Sequence, residues 1–303
     1  MATSPLIAPP GSQGPGPMPG PAVAALDLAL VRRTAGALPG EHSGLGVGLG
    51  TELAQLRPYQ LGDDVRQLDP AASARTGVPH VRQQIPDRAL TTWVVLDISP
   101  SMAFGTAERL KSDVAEGVVR VMARLGVRRG GRIALLTCGS PLIRVLPPRG
   151  GRRAIGIIEH ALAEGVAGDG AAGEDDGLAA ALRRLRTMAR QPGLVTIVSD
   201  FRDPSDWQRQ LRALGARHRV LGIEVLDPRE TELVDAGLMV LVDPEDGSHV
   251  EVDTRSKGTR EAFAAAERDR RAALRDDLRR AGARHVTVRT DGDWLRGLGR
   301  GLG

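Results

Sequence analysis

Three short apolar runs limit what this chain can fold into. Thr92–Leu96 (TWVVL), Arg132–Cys138 (RIALLTC) and Leu194–Val198 (LVTIV) are strand-length, and they are nearly continuous in apolar character rather than alternating. Strands of that kind are buried on both faces, which suits a parallel sheet covered by helices on either side. Between and after them lie stretches with helical spacing: Ala107–Leu125, Arg152–Ala163, Gly177–Arg190, Ser205–Leu214 and Thr259–Arg280. His218–Leu226 and His285–Arg289 read as two further strands, and Trp294–Leu298 as a short helix. Strands alternating with helices predict an α/β fold, a doubly wound, mostly parallel central sheet with helices on both faces, of Rossmann type. Leu238–Val242 and His249–Val252 flank the turn sequence Pro244-Glu245-Asp246-Gly247 and predict a hairpin.

The chain divides into three by composition. Residues 1–22 carry seven prolines and four glycines, with no charge, and predict a disordered tail. Residues 23–90 hold a helix over 23–37 and a charged segment of short strands and turns, and residues 91–303 form the α/β domain. The glycine-rich stretch Gly40–Gly50 lacks the Lys-Ser/Thr ending of a phosphate-binding loop, so it reads as a surface loop. The start has neither a basic region nor an apolar core of the secretory kind, and no run approaches the roughly 18 apolar residues of a spanning helix. A cytoplasmic location without a membrane span is expected.

Several function classes are set aside by counts. A single cysteine, Cys138, excludes a disulfide framework and zinc sites built on paired cysteines. Six histidines are scattered without metal-ligand spacing. The 41 basic and 37 acidic residues are interspersed and leave a net charge of only +4. Only Lys111 and Lys257 are lysines; the rest of the basic residues are arginines. With three tryptophans, three phenylalanines and one tyrosine, no stacking platform for single strands is in view, and no nucleic-acid partner is expected.

The sharpest local signal is Val94-Val95-Leu96-Asp97-Ile98-Ser99-Pro100-Ser101. A carboxylate and two hydroxyls stand at i, i+2 and i+4 where a buried strand ends. In open α/β sheets ligands bind beyond the carboxyl ends of strands. A loop reversing there turns all three oxygens toward one point, and hard oxygen donors suit Mg²⁺, Ca²⁺ or Mn²⁺ rather than zinc. Asp200, which follows the apolar run of TIVSD, is a candidate second carboxylate acting through water. The bland alternative is that Asp97 caps the following helix and the serines bond backbone amides.

This pattern resembles the Asp-x-Ser-x-Ser metal-ion-dependent adhesion site of von Willebrand factor A domains. More of the chain is similar to the bacterial domain-of-unknown-function 58 family, a branch of those proteins. The similarity rests on Arg57-Pro58-Tyr59-Gln60-Leu61-Gly62-Asp63-Asp64-Val65-Arg66-Gln67-Leu68-Asp69, then Ala74-Arg75-Thr76, Ser199-Asp200-Phe201, Arg217-His218, Asp227-Pro228-Arg229-Glu230 and Asp243-Pro244-Glu245-Asp246-Gly247. The chain departs from the family in having Pro70 where a tryptophan is usual. It also lacks the threonine that complete adhesion sites place ahead of a helix. The stretch that corresponds is Gly170-Ala-Ala-Gly-Glu174-Asp175-Asp176-Gly177, where Asp175 or Asp176 substitutes or the site is incomplete.

The resemblance implies a non-enzymatic interaction module. Asp97, Ser99 and Ser101 would hold a Mg²⁺-type ion directly and Asp200 a bound water, and the ion would receive an acidic residue of a partner. It also implies the partner class, a MoxR-type AAA+ ATPase. The alternatives are a metal-independent scaffold of the same fold, a metal-assisted hydrolase and a nucleic-acid binder. The charged block around Arg57, Asp63, Asp64, Arg66, Asp69 and Arg75 reads as an ion network pinning a short-stranded segment, and Cys138 as an inert core thiol.

Overall fold

The computed structural model describes residues 13–34, 55–60, 63, 65, 68–83, 90–141, 143–165 and 177–302. Helix α1 (Gly20–Thr34) leads into strand β1 (Gln55–Pro58), helix α2 (Pro70–Thr76) and strand β2 (His80–Gln83). β1 and β2 pair antiparallel, with Pro58 opposite His80. Asp69 caps α2 by accepting from the Ala72 amide at 2.9 Å, and Pro70 stands at the first helical position, where its missing N–H costs nothing. The charged segment thus folds as short strands around a capped helix, as its lack of period suggests. Asp64, Arg66 and the Arg57 side chain lie outside the described residues.

The body is a six-stranded sheet. Its strands are β3 (Thr91–Asp97), β4 (Arg132–Cys138), β5 (Val145–Gly150), β6 (Leu194–Ser199), β7 (Arg219–Leu226) and β10 (Ala283–Arg289). Their spatial order is β10-β7-β6-β3-β4-β5. All neighbours are parallel except β5, which runs antiparallel along the edge beside β4. Pro147 and Pro148 hide β5 from sequence reading, since proline is tolerated in a strand only at an edge.

Successive residues of β3 point to opposite faces, and both faces are covered. Val94 and Leu96 enter one core with helices α3 (Lys111–Gly126), α4 (Gly151–Leu162) and α8 (Trp294–Leu302). Trp93 and Val95 enter the other, with α5 (Leu178–Met188), α6 (Trp207–Gly215) and α7 (Lys257–Arg280). This is why the apolar runs are continuous. Strands β8 (Leu238–Val242) and β9 (His249–Asp253) form the expected hairpin, a separate two-stranded sheet between β7 and α7. No helix among the described residues is long and apolar enough to cross a membrane.

The start of the chain departs from expectation. The sequence reading places residues 1–22 in a disordered tail, yet the segment from Gln13 onward is docked. The Asp113 carboxylate accepts from the amides of Gln13 (3.2 Å) and Gly14 (2.9 Å). Arg109 donates to the Gly14 carbonyl at 2.8 Å, and the Trp294 indole N–H donates to the Pro15 carbonyl at 2.9 Å. A segment without a period of its own is held here by its backbone polar groups, which no sequence pattern reports.

Candidate functional site

The site lies where the sheet reverses direction. From β3 the chain moves one way to β4, and β6 pairs on the other side of β3, so the carboxyl ends of β3 and β6 border a topological switch point. Asp97 is the last residue of β3 and Ser199 the last of β6. Asp97 Oδ1 accepts from the Ser99 amide at 2.9 Å, and Oδ2 accepts from Ser199 Oγ at 2.6 Å. Ser99 Oγ and Ser101 Oγ are 3.1 Å apart. All three predicted donors are buried, with Asp97 only 4% exposed.

Local geometry explains the convergence. The Ile98 amide donates to the Cys138 carbonyl at 2.9 Å, so the chain turns tightly over the end of β4. Gly139 sits under that turn with φ +80°, and a Cβ placed there would come within 2.5 Å of the Ser99 Cβ. Glycine satisfies both the left-handed backbone and the close approach. Pro100 then starts a single 3₁₀ turn, Pro100–Ala103, that carries Ser101. The bland reading is met in part: Asp97 accepts from a backbone amide of the following turn, while the two serine hydroxyls lie against each other.

Asp200 is close by but engaged elsewhere. Its Oδ1 accepts from the Arg202 amide at 3.0 Å, and its Oδ2 accepts from Lys111 Nζ at 2.7 Å. The same ammonium donates to Glu230 Oε1 at 2.7 Å and lies 5.8 Å from the Phe104 ring centre. Lys111 is wholly buried at the first position of α3. Glu230 comes from a one-turn helix after β7, where Asp227 accepts from the Thr106 amide (2.9 Å) and from the Thr106 and Thr290 hydroxyls (2.6 and 2.7 Å). Arg202 bridges Glu230 and Glu267, at 3.2 Å from each.

The electrostatics of the two aspartates diverge. Burial, then the neighbouring Asp200 charge, pushes the Asp97 carboxyl up to about 7 against the bonds from Ser199 and Ser99. Burial also opposes ionisation of Asp200, but the Lys111 ammonium outweighs it and holds Asp200 below the usual carboxylate range. Burial disfavours the Lys111 charge too, and Asp200 and Glu230 together outweigh that, raising its pKa. Burial pushes the Cys138 thiol well up, with Asp97 and Asp203 adding to it, as an inert core thiol requires.

Backbone strain sits at the same place. Phe201 has φ 55°, the one non-glycine residue with positive φ among the described residues. Its amide accepts no helical role and donates instead to Ser199 Oγ at 2.8 Å, and its ring packs on Trp207 with centres 5.4 Å apart. A left-handed phenylalanine costs about 1–2 kcal/mol, which the packing must offset.

The structure therefore joins Asp97, Ser99 and Ser101, and brings Asp200 to their side in a pair with Lys111. Asp175 and Asp176 lie outside the described residues. Next to that stretch, Asp203 caps α5 by accepting from the Leu178 amide at 2.6 Å. Among the described residues no group of three or more His, Cys, Asp and Glu side chains is placed to hold a metal ion. One carboxylate and two hydroxyls are hard donors that fit a Mg²⁺-type ion in chemistry, with open positions for water and a further acid.

Sequence reasoning missed Lys111, Glu230 and Glu245. Glu245, at the tip of the β8–β9 hairpin, accepts from the Ser101 amide through Oε1 at 3.0 Å. Two signals pointed to them. One is a lysine at the start of a helix in a chain with only two lysines. The other is the pair of acidic turn sequences, Asp227–Glu230 and Asp243–Gly247.

Comparison with known proteins gives three results. Uncharacterized proteins of Mycobacterium bovis and Mycobacterium tuberculosis are 41% identical over 98% of this chain and 94% of theirs. Among solved structures, a conserved hypothetical protein, BatB, from Bacteroides thetaiotaomicron matches 71% of this chain and 97% of its own at 12% identity and a TM-score of 0.43. The SpRpn10 VWA domain matches 69% of this chain and 93% of its own at 15% identity and a TM-score of 0.38. The first five strands of the central sheet, β3 to β7, the turn after β3 and the acidic turns after β7 fall inside residues 55–273, which match the profile of one family, and the chain belongs to it: the proteins of unknown function DUF58.

Proposed function

We propose that the chain is a non-enzymatic protein-interaction module whose contact point is the Asp97, Ser99 and Ser101 cluster. The observation that carries this reading is the convergence of one carboxylate and two hydroxyls at the switch point of the sheet, with the two hydroxyls 3.1 Å apart. A divalent cation of the Mg²⁺ type held there would supply positive charge for an acidic side chain of a protein partner. Asp97 orients the turn through the Ser99 amide and is itself oriented by Ser199. Gly139 leaves the space in which Ser99 sits. Lys111 fixes Asp200 beside the cluster. The family resemblance supports a MoxR-type AAA+ ATPase as the partner, and a cytoplasmic location is part of this proposal.

The test pairs calorimetry with capture. Wild type and Asp97→Ala are titrated with Mg²⁺, and each is used to pull down a MoxR-type AAA+ ATPase. The reading expects Mg²⁺ heat and ATPase capture from the wild type and the loss of both in the variant. Unchanged binding in both assays would sink it.

One observation favours a second reading, a metal-independent scaffold. The Lys111 ammonium already serves Asp200 and Glu230 as an internal cation. In that case Mg²⁺ leaves the melting temperature unchanged, whereas binding to the folded state alone raises it in proportion to RT ln(1 + [L]/Kd).

A further inference from the structure

The segment between β7 and α7 reaches this end of the sheet twice, once beside the cluster and once at it. At its base Glu230 meets Lys111, and at the hairpin tip Glu245 meets the Ser101 amide, 144 positions away in sequence. We propose that the β8–β9 hairpin is a lid. Glu245 is a built-in carboxylate that seats on the cluster in the place of the partner's acid and must leave before that acid enters. This inference rests on the reading of this end of the sheet as the binding point.

Three features support a lid rather than a fixed wall. First, the hairpin is two-stranded and joins no strand of the central sheet, and isolated two-stranded hairpins are marginal. Second, it is tethered at its base. Thr254 is buried, its hydroxyl accepts from the Ala236 amide at 2.9 Å and donates to the Gly237 carbonyl at 2.7 Å, and Arg260 pairs with Asp235 at 3.4 Å. At the tip, the other hydrogen bonds stay within the turn: Glu245 amide to Asp243, Ser248 amide to Asp246, Gly247 amide to the Asp243 carbonyl. Among the described residues, Glu245 is thus the hydrogen-bonded link from the tip to the body. Third, its packing is one-sided: Leu238, Val240 and Val242 are 64%, 55% and 62% exposed, while Met239, Leu241 and Val252 are only half-buried and, among the described residues, belong to neither core of the sheet. Segments with few buried contacts open at low free-energy cost.

The ligand chemistry follows from the seat. Glu245 bonds the backbone amide of Ser101, so on this proposal the seat takes a carboxylate on a flexible stem, approached from the side of Ser101. A partner bearing glutamate or aspartate competes with an intramolecular copy of itself, so its apparent affinity is reduced by the fraction of molecules in which the lid is closed.

The experiment has two arms. Hydrogen–deuterium exchange, run in EDTA, compares wild type with Glu245→Gln and Glu245→Ala. Loss of one charge-assisted bond should speed exchange at Ser101 and over 238–253 about tenfold, with β3 and β6 unchanged. The second arm titrates N-acetylglutamate amide, with and without Mg²⁺, and expects binding at least about fivefold tighter to Glu245→Gln than to wild type. Unchanged exchange, or faster exchange without tighter probe binding, overturns the lid. A failure of the metal reading shows up separately, as absent Mg²⁺ heat in the wild type, and leaves the exchange arm intact.

Discussion

Two buried carboxylates in this protein have opposite surroundings. Glu224, in β7, is wholly buried and faces two arginines and a histidine: Arg271 at 3.2 Å, Arg270 at 3.4 Å and His285 at 3.1 Å. Burial would raise its pKa, but the bonds from His285 and Arg271 bring it down to about 2. Asp97 is almost as buried and, among the described residues, faces hydroxyls, an amide and another acid, and rises to about 7. The first arrangement is what a buried ion pair needs to be tolerated. The second leaves an acid without a cation, at the one place where the sheet topology favours ligands. Carboxylates left this way cluster at functional sites because folding alone does not require them.

Removing Lys111 should break this contrast most severely. Lys111→Met leaves Asp200 and Glu230 buried without their cation, and a cost of about 3–5 kcal/mol is expected in urea denaturation. Lys111→Arg should also destabilise, because a planar guanidinium needs room that the enclosed ammonium does not. A stable Lys111→Met protein would show that the ammonium is dispensable, and Asp200 would then resemble Asp97.

The next effect is on acid stability. The folded pKa of Glu224, about 2, lies below its ordinary value of 4.5. Its contribution is therefore present above pH 4.5 and fades as pH falls toward 2. It amounts to roughly 2–3 kcal/mol, reduced from the full shift because Arg270 and Arg271 are themselves about a third exposed. Glu224→Gln should flatten that acid limb when denaturation midpoints are measured from pH 5 to pH 2. An unaltered limb would place the acid sensitivity in other carboxylates.

Gly139→Ala should cost about 2 kcal/mol, from a left-handed backbone and the contact with Ser99. It should also weaken Mg²⁺ binding in calorimetry by moving Ser99, which a purely structural glycine would not. The smallest change is expected for Asp97→Asn. The amide keeps the shape and the acceptor for the Ser99 N–H, reverses the other bond so that its NH2 donates to Ser199 Oγ, and removes a charge with no cation beside it among the described residues. Its stability should stay within about 1 kcal/mol of wild type, in contrast to Lys111→Met.

The sheet was legible because burial on both faces makes its strands visible as unbroken apolar runs, and the Asp97 turn because it ends one of them. β5 was not, since its two prolines argue against a strand everywhere but at an edge. The partners of Asp200 were hidden for a different reason. Lys111, Glu230 and Glu245 lie on three separate elements, and only the fold brings them to one point. The docking of residues 13–19 depends on backbone amides and carbonyls, which every residue but proline supplies in full and which no spacing reveals.

The left-handed Phe201 gives the site a dependence on the far core. Its backbone follows Asp200 directly, its amide is bonded to the Ser199 hydroxyl that also holds Asp97, and its ring leans on Trp207. The two aspartates are therefore mounted on the hydrophobic layer beneath α6. A Trp207→Leu replacement, made on α6 outside the cluster, would let the Phe201 backbone relax and turn both carboxylates together. The hydrophobic core under the second face of the sheet thus acts as the setting for the charged groups at its end.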